Sequence, residues 1–102
     1  MRTTSRKKLE IIVEGPVLRR VEAFLEEAGV RGWTVLPSLK GHGSGGEWTS
    51  GDFTPGQEKR LIMAVASAEA ADLVLERLGR FFADYPGIVM VTDVEVLRAE
   101  RF

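Results

Sequence analysis

The chain has 102 residues, of which 44% are apolar and 28% charged, the size and mix of one ordinary soluble domain. Its 14 basic and 15 acidic side chains leave a formal net charge of -1, so no net field favours nucleic acid or an anionic membrane, and no partner recruited by bulk charge is expected. With no cysteine and a single histidine, His42, the chain excludes disulfides, thiol nucleophiles and a multi-histidine metal site of its own. The polar start and the short apolar runs predict a cytoplasmic protein that does not insert into a membrane.

The first third of the sequence predicts a strand, a helix and a second strand. Residues 9–14 are short, apolar and rich in β-branched side chains, as a covered strand is. Residues 16–28 carry one apolar stripe at helical spacing, and Gly29 is expected to end that helix in the left-handed conformation. Residues 31–39 predict the second strand, with Trp33 in the core or at an interface.

The second half predicts a strand, a helix and a last strand. Residues 59–66 form an apolar run of strand length, and Ser67 is placed to cap a helix with an apolar stripe that ends at Phe82. Turn residues follow at 84–87, and residues 88–97 predict the fourth strand. Residues 98–102, called the tail below, come after it.

This element order predicts an α+β, ferredoxin-like βαββαβ fold, in which two helices cover one face of an antiparallel sheet. The strands over 61–65 and 88–91 do not alternate apolar with polar residues, as they would if their second face met water. We therefore expect other subunits of the same chain to cover that face.

A glycine-rich window stands out between the second and third strands. Six of the 11 glycines lie within residues 40–57, and the 40–58 segment is too long for an ordinary hairpin connection. Backbone N–H groups of such a segment can surround an anion, although a flexible linker has the same composition. It carries neither a Walker motif nor a dinucleotide fingerprint. His42 is expected to be exposed, and Trp48 is either an anchor for a partner or a packing residue of the loop.

Basic residues recur near the predicted strand ends. Each by itself is expected to be a solvated charge, but together they could gather into a phosphate or carboxylate pocket. They are Lys40, Lys59, Arg60, Arg98 and Arg101. The early charges predict instead a frayed leader and the entry to the first strand. These are Arg2, Arg6, Lys7 and Lys8. No motif ties His42 to a nucleophile, so a catalytic triad is not indicated.

Two short motifs resemble a known family. Residues 30–35 read Val-Arg-Gly-Trp-Thr-Val and residues 40–43 read Lys-Gly-His-Gly. This is similar to the PII signalling proteins, in which a Gly-x-Thr-Val step precedes a Lys-Gly-x-Gly entry to a long loop. Element lengths agree across nearly the whole chain, and residues 91–98 resemble the family's closing strand.

The resemblance implies one domain over 1–102, a homotrimer, and an adenine nucleotide bound between subunits at the base of a movable T-loop, here 40–58. No catalysis and no required cofactor are implied. His42 and Trp48 of the loop would contact a regulated partner. Carried over by position, the nucleotide-binding residues would be Thr34, Gly41, Gly43, Ser44, Lys59, Val65, Gly87, Arg98 and Arg101.

The departures from the family pattern define the expected branch. The family's phosphate loop, Thr-Gly-x-x-Gly-Asp-Gly-Lys, is reduced to Gly87 here, which favours ADP or AMP over ATP. The T-loop segment, 40–58, lacks the tyrosine that is modified in nitrogen regulators. Arg98 and Arg101 are three apart and would face opposite ways on a continued strand, whereas the family spaces its arginines two apart. The chain is thus similar to divergent PII-like proteins that respond to adenine nucleotides and bicarbonate beside inorganic-carbon transporters.

Two other hypotheses remain open at this point. A CutA-type trimer, associated with metal tolerance, shares the expected fold, and His42 from three chains could meet a metal. A small enzyme or a heme-type αβ-barrel dimer would also need a covered sheet, but no convergent acid and base pair is visible.

Overall fold

Two helices lie on one face of a four-stranded antiparallel sheet. The computed structural model describes residues 2–38, 40–43, 46–49 and 58–102. The strands are β1 (Thr4–Glu14), β2 (Trp33–Pro37), β3 (Lys40–Gly43), β4 (Gly46–Thr49), β5 (Lys59–Ala66) and β6 (Gly87–Val96). The helices are α1 (Leu18–Glu27) and α2 (Ala68–Phe81), with 3-10 turns at Gly15–Val17 and Ala99–Arg101. In these ranges no helix is long and apolar enough to cross a membrane.

The main sheet has the order β2-β5-β1-β6, and every neighbouring pair is antiparallel. This is the ferredoxin-like arrangement, so the predicted fold class is confirmed. Strands β3 and β4 form a separate two-stranded ribbon.

The pairing register decides which residues of the sheet face the helices, because directly opposed residues of antiparallel strands share a face. On β1, Leu9, Ile11 and Val13 are fully buried, and Ile11 is opposite the fully buried Ile62 of β5. The predicted apolar stripes of both helices pack onto this layer. Their buried members are Val21, Leu25, Ala70, Ala71, Val74, Leu78 and Phe81.

Local signals end α1 and begin α2 where the sequence predicts. Gly29 has φ 87° and donates to the Glu26 carbonyl (3.0 Å), while Val30 donates to the Leu25 carbonyl (3.0 Å). This pair of bonds is the Schellman closure, in which glycine avoids the Cβ clash of the left-handed region. Ser67 Oγ accepts a hydrogen bond from the Ala70 amide (3.1 Å) and caps α2.

Three expectations are corrected. The first strand starts at Thr4 rather than at residue 9, because the charged stretch pairs with β6, Thr4 opposite Val96, instead of fraying. The glycine-rich window contains the paired strands β3 and β4, which its glycine content did not lead us to expect. The last strand ends at Val96, and Arg98 adopts a left-handed φ of 58°, so Arg98 and Arg101 do not continue a strand.

The second face of the sheet, called the open face below, is apolar along its flanking strands, as the sequence indicates. Met63 on β5 is 37% exposed, and Met90 on β6 is 47% exposed. Strand β1, which lies between β5 and β6, contributes charged residues to this face instead, with Lys8 Nζ 3.7 Å from Glu10 Oε1. Large apolar patches of this kind mark an interaction surface.

Gly87 is required by packing at the start of β6. A Cβ added there would lie 2.4 Å from Cε1 and 2.9 Å from Cζ of the Phe82 ring, and 3.0 Å from the Ile12 carbonyl oxygen. The ring is confined because Phe82 packs against the core and its centroid lies 6.1 Å from that of Phe81. Gly87 therefore has a structural reason to be glycine that is independent of any ligand.

We expect Gly87→Ala to lower the free energy of unfolding by about 1–3 kcal/mol, since overpacking against a ring and a carbonyl strains both. Gly79→Ala is the matched control, because nothing lies within 4 Å of its added Cβ and alanine favours a helix interior. Urea unfolding at one fixed protein concentration measures both variants. Equal stability of Gly87→Ala and the wild type would contradict the packing argument.

The open face predicts assembly. Met90→Glu places a charge on that face and should shift the protein toward the monomer in sedimentation velocity at micromolar concentration, because burying an unpaired charge is costly. Leu73→Glu is the control, since Leu73 is 52% exposed on the outer side of α2. A wild-type monomer, or equal behaviour of the two variants, would overturn the prediction.

Candidate functional site

Four strand ends meet at one end of the sheet, called the loop end because the 40–58 segment leaves and returns there. Strands β1 and β2 finish at this end, and β5 and β6 begin there. Glu14 is opposite Lys59, Pro37 is opposite Arg60, and Gly87 is opposite the neighbouring Val13.

Both borders of the 40–58 segment are attached to the sheet by backbone hydrogen bonds. The Ser38 amide donates to the Lys59 carbonyl (3.1 Å), and the Gly15 amide donates to the Glu58 carbonyl (2.7 Å). The segment therefore leaves and rejoins the sheet at hydrogen-bonded ends.

Two cations at this end have carboxylates nearby. Lys59 Nζ lies 3.5 Å from Glu14 Oε1, and Arg60 Nη2 donates to Glu58 Oε2 (2.9 Å). Glu14 and Glu58 were not predicted as site residues. Register would have indicated Glu14, because it is opposite Lys59 on the neighbouring strand. An anionic ligand must compete with these carboxylates for the two cations.

A groove of ≈ 190 Å³ opens at the loop end. Its lining combines apolar and charged residues: Val35, Pro37, Ser38, Glu58 and Arg60. The volume is below the roughly 300–1,000 Å³ of sites that enclose drug-sized ligands. The groove of one subunit is therefore too small to enclose a ligand of that size.

The loop candidates belong to the β3–β4 ribbon. Gly41 is paired with Trp48 and Gly43 with Gly46, and the His42 side chain is exposed, as predicted. Ser44 lies outside the described residues.

Three further candidates share the open face but are spread along it. Thr34 is opposite Met63 on β5, the strand that begins with Lys59 and also carries Val65. At a rise of about 3.3 Å per residue, Lys59 and Val65 are about 20 Å apart. They cannot contact the same small group within one subunit.

The arginine candidates lie at the opposite end of the sheet, called the tail end. There β1 and β6 extend past β5, which stops at Ala66 opposite Lys7. Arg98 and Arg101 follow β6 at this end. The candidates thus form two groups in one subunit, one at the loop end and one toward the tail end.

The tail end has its own charge pair. Lys7 donates a hydrogen bond to Asp93. This bond is the main cause, and the negative charge of the carboxylate the second, of a raised pKa of the exposed Lys7 ammonium. In the parts of the chain that the structure describes, no three His, Cys, Asp or Glu side chains gather to hold a metal.

In the turn between α2 and β6, three backbone amides donate hydrogen bonds to the end of α2. The Ala83 amide donates to the Arg80 carbonyl (3.3 Å), and the Asp84 and Tyr85 amides donate to the Phe81 carbonyl (3.1 Å each). The Tyr85 ring stacks on Phe81, with centroids 4.5 Å apart. These three amides point into the helix end, so the turn has no spare donor among them for a phosphate.

Comparison with known proteins identifies the family. The model of the nitrogen regulatory protein P-II family matches residues 6–101. CPII, a nitrogen regulatory PII-like protein from Thiomonas intermedia K12 solved with ADP, AMP and bicarbonate, is 32% identical, with TM-score 0.91 over 99% of this chain and 96% of that one. A putative PII-like signalling protein from Thermus thermophilus is 25% identical, with TM-score 0.86 over 100% and 99% of the two chains.

A more distant match shows the fold alone. GlnK of B. subtilis in complex with ATP is 19% identical, with TM-score 0.62 over 92% of this chain and 85% of that one. Members of the family are signalling proteins, and trimers are typical of it. The extent of the family match and the agreement with the PII-like structures show that this chain belongs to the nitrogen regulatory protein P-II family.

Proposed function

We propose that this protein is a non-enzymatic cytoplasmic sensor, a homotrimer that binds ADP or AMP in clefts between subunits, with bicarbonate as a second ligand. It regulates a partner, such as a membrane transporter, through the 40–58 segment. The observation that carries the proposal is the match to CPII over nearly its whole length, in a structure with ADP, AMP and bicarbonate.

The distribution of candidates within one subunit supports a site between subunits. Lys59 and Arg101 belong to opposite ends of the sheet, and the groove at the loop end is small. A ligand that touches both groups must therefore take them from two subunits. The apolar open face supplies the surface on which subunits can pack.

The turn before β6 supports a ligand with fewer phosphates than ATP. Three of its amides donate hydrogen bonds to carbonyls at the end of α2, and Gly87 packs against Phe82. Phosphate groups depend on backbone donors and cations, and ATP has one more phosphate than ADP to satisfy, so a turn with few donors disfavours ATP.

The 40–58 segment is the proposed effector. Its borders are attached to the sheet, and its described part is a short ribbon with exposed His42, next to glycines that adopt many backbone conformations. A ligand at the loop end would shift the segment between conformations, and His42 and Trp48 would then contact the partner.

The CutA alternative loses support. The matching family is P-II, and the described residues hold no metal-ligand cluster. A metal site made from His42 of three chains is the remaining form of that hypothesis, and zinc titration of the wild type against His42→Ala tests it.

Calorimetry tests the ligand. We expect micromolar binding of ADP and AMP, weaker binding of ATP, and a change in ADP affinity when bicarbonate is present, because the turn before β6 offers few phosphate donors. No binding of any of these nucleotides below millimolar concentration, with or without bicarbonate, would end the nucleotide proposal.

A charge variant tests the loop end. Lys59→Gln should weaken ADP binding by about 10- to 100-fold, since a hydrogen bond to a charged group contributes about 1.5–3 kcal/mol. Arg80→Gln is the control, because Arg80 is exposed on α2, where it pairs with Glu76 at 3.4 Å. ADP affinity that is the same in Lys59→Gln, Arg80→Gln and the wild type would remove Lys59 from the site.

A further inference from the structure

The tail is folded back on the sheet rather than extended. Arg98 has φ 58°, in the left-handed region that non-glycine residues rarely adopt. The Arg101 amide then donates to the Arg98 carbonyl (3.0 Å), and the Phe102 amide donates to the Ala99 carbonyl (3.0 Å). A non-glycine residue in this region is sterically disfavoured, so other contacts must hold the turn in place.

Two arginines from separate elements supply those contacts. Arg6 of β1 donates from Nε to the Phe102 carbonyl and from Nη2 to the Ala99 carbonyl, each at 3.4 Å. Arg31, in the connection between α1 and β2, donates from Nη1 to the Glu100 carbonyl. Two guanidinium groups therefore hold three carbonyls of a five-residue segment.

The bonds of Arg6 are long, but both come from one planar group. The fixed fork of arginine places two donors at once, which a single ammonium cannot do. Arg6 also donates from Nη1 to the Ser5 carbonyl of its own strand (2.9 Å), so only its Nε and Nη2 donate to the tail. Within the described residues, neither Arg6 nor Arg31 is paired with a carboxylate.

The tail in turn presents two cations outward. The Arg98 side chain is 65% exposed, and its Nε lies 4.0 Å from Glu100 Oε1, the limit of an ion pair. Arg101 is also exposed. A pair of exposed arginines on an irregular segment binds an anion well only if the segment is ordered beforehand, because ordering a flexible segment on binding lowers affinity.

We propose that Arg6 and Arg31 are positioning residues that latch the tail, so that Arg98 and Arg101 meet the phosphates of a nucleotide at the loop end of a neighbouring subunit. The proposal rests on the proposed function for its ligand. The latch itself rests only on contacts within one subunit.

Amide hydrogen exchange of the free protein, measured by NMR, tests the latch without nucleotide. Arg6→Ala and Arg31→Ala should each speed exchange of the Arg101 and Phe102 amides by about 10-fold, as expected for the loss of hydrogen bonds contributing about 1.5 kcal/mol. Arg6→Lys keeps the charge but not the two donors of the guanidinium, so the exchange rates of these amides should lie between those of the wild type and of Arg6→Ala. Arg19→Ala removes the same charge from an exposed position of α1 and should leave these amides unchanged.

A double-mutant cycle tests how the latch acts on the nucleotide. Arg6→Ala should weaken ADP binding by about 5- to 10-fold in the wild type and by less than about 2-fold when Arg98 and Arg101 are both already alanine, because its effect passes through these two residues. Arg31→Ala should behave in the same way. Arg31→Ala replaces Arg6→Ala in this test if sedimentation shows that Arg6→Ala, which alters the open face, weakens assembly.

The outcomes separate the two proposals. Unchanged exchange in both Arg6→Ala and Arg31→Ala overturns the latch, whatever the ligand. Equal losses of ADP affinity with and without the Arg98 and Arg101 side chains overturn the positioning role, because the latch residue would then act independently of them. A wild type that binds no nucleotide overturns the proposed function and the ligand part of this inference, while faster exchange would still support the latch.

Discussion

The rest of the structure depends on the register of β1 between β5 and β6. This strand pairs with both neighbours, and its residues Leu9, Ile11 and Val13 form the centre of the core. Because the pairing is antiparallel on both sides, the loop and the tail leave the sheet at opposite ends. A shift by one residue would exchange the core face with the open face, so the apolar core fixes where the 40–58 segment and the tail leave the sheet.

This arrangement places the two groups of candidate residues at opposite ends of one subunit. The loop end has an attached, glycine-rich segment and two cations already near carboxylates, and the tail end has two exposed arginines held by Arg6 and Arg31. The face between them is apolar and open. A trimer is typical of the P-II family, and we propose that the loop end of one subunit meets the tail end of another within it.

The elements with strong local signals were predictable. The stripes of both helices, the glycine cap at Gly29 and the Ser67 cap depend on neighbours within about four residues, and the structure confirms them. The start of β1 was not predictable, because its polar residues become strand only by pairing with β6, at the far end of the chain. The β3–β4 ribbon was hidden for a related reason, since glycine has weak strand preference and pairing alone reveals it.

The sequence by itself determined the fold class, the apolar second face and the family resemblance, because these are written in spacing and short motifs. Tertiary structure decided what the candidate residues can do together. It separated Lys59 from Arg101, gave Gly87 a packing role against Phe82, and committed the turn amides to α2. It also brought Arg6 and Arg31 to the tail, a contact that spans 69 to 96 residues along the chain and leaves no local pattern.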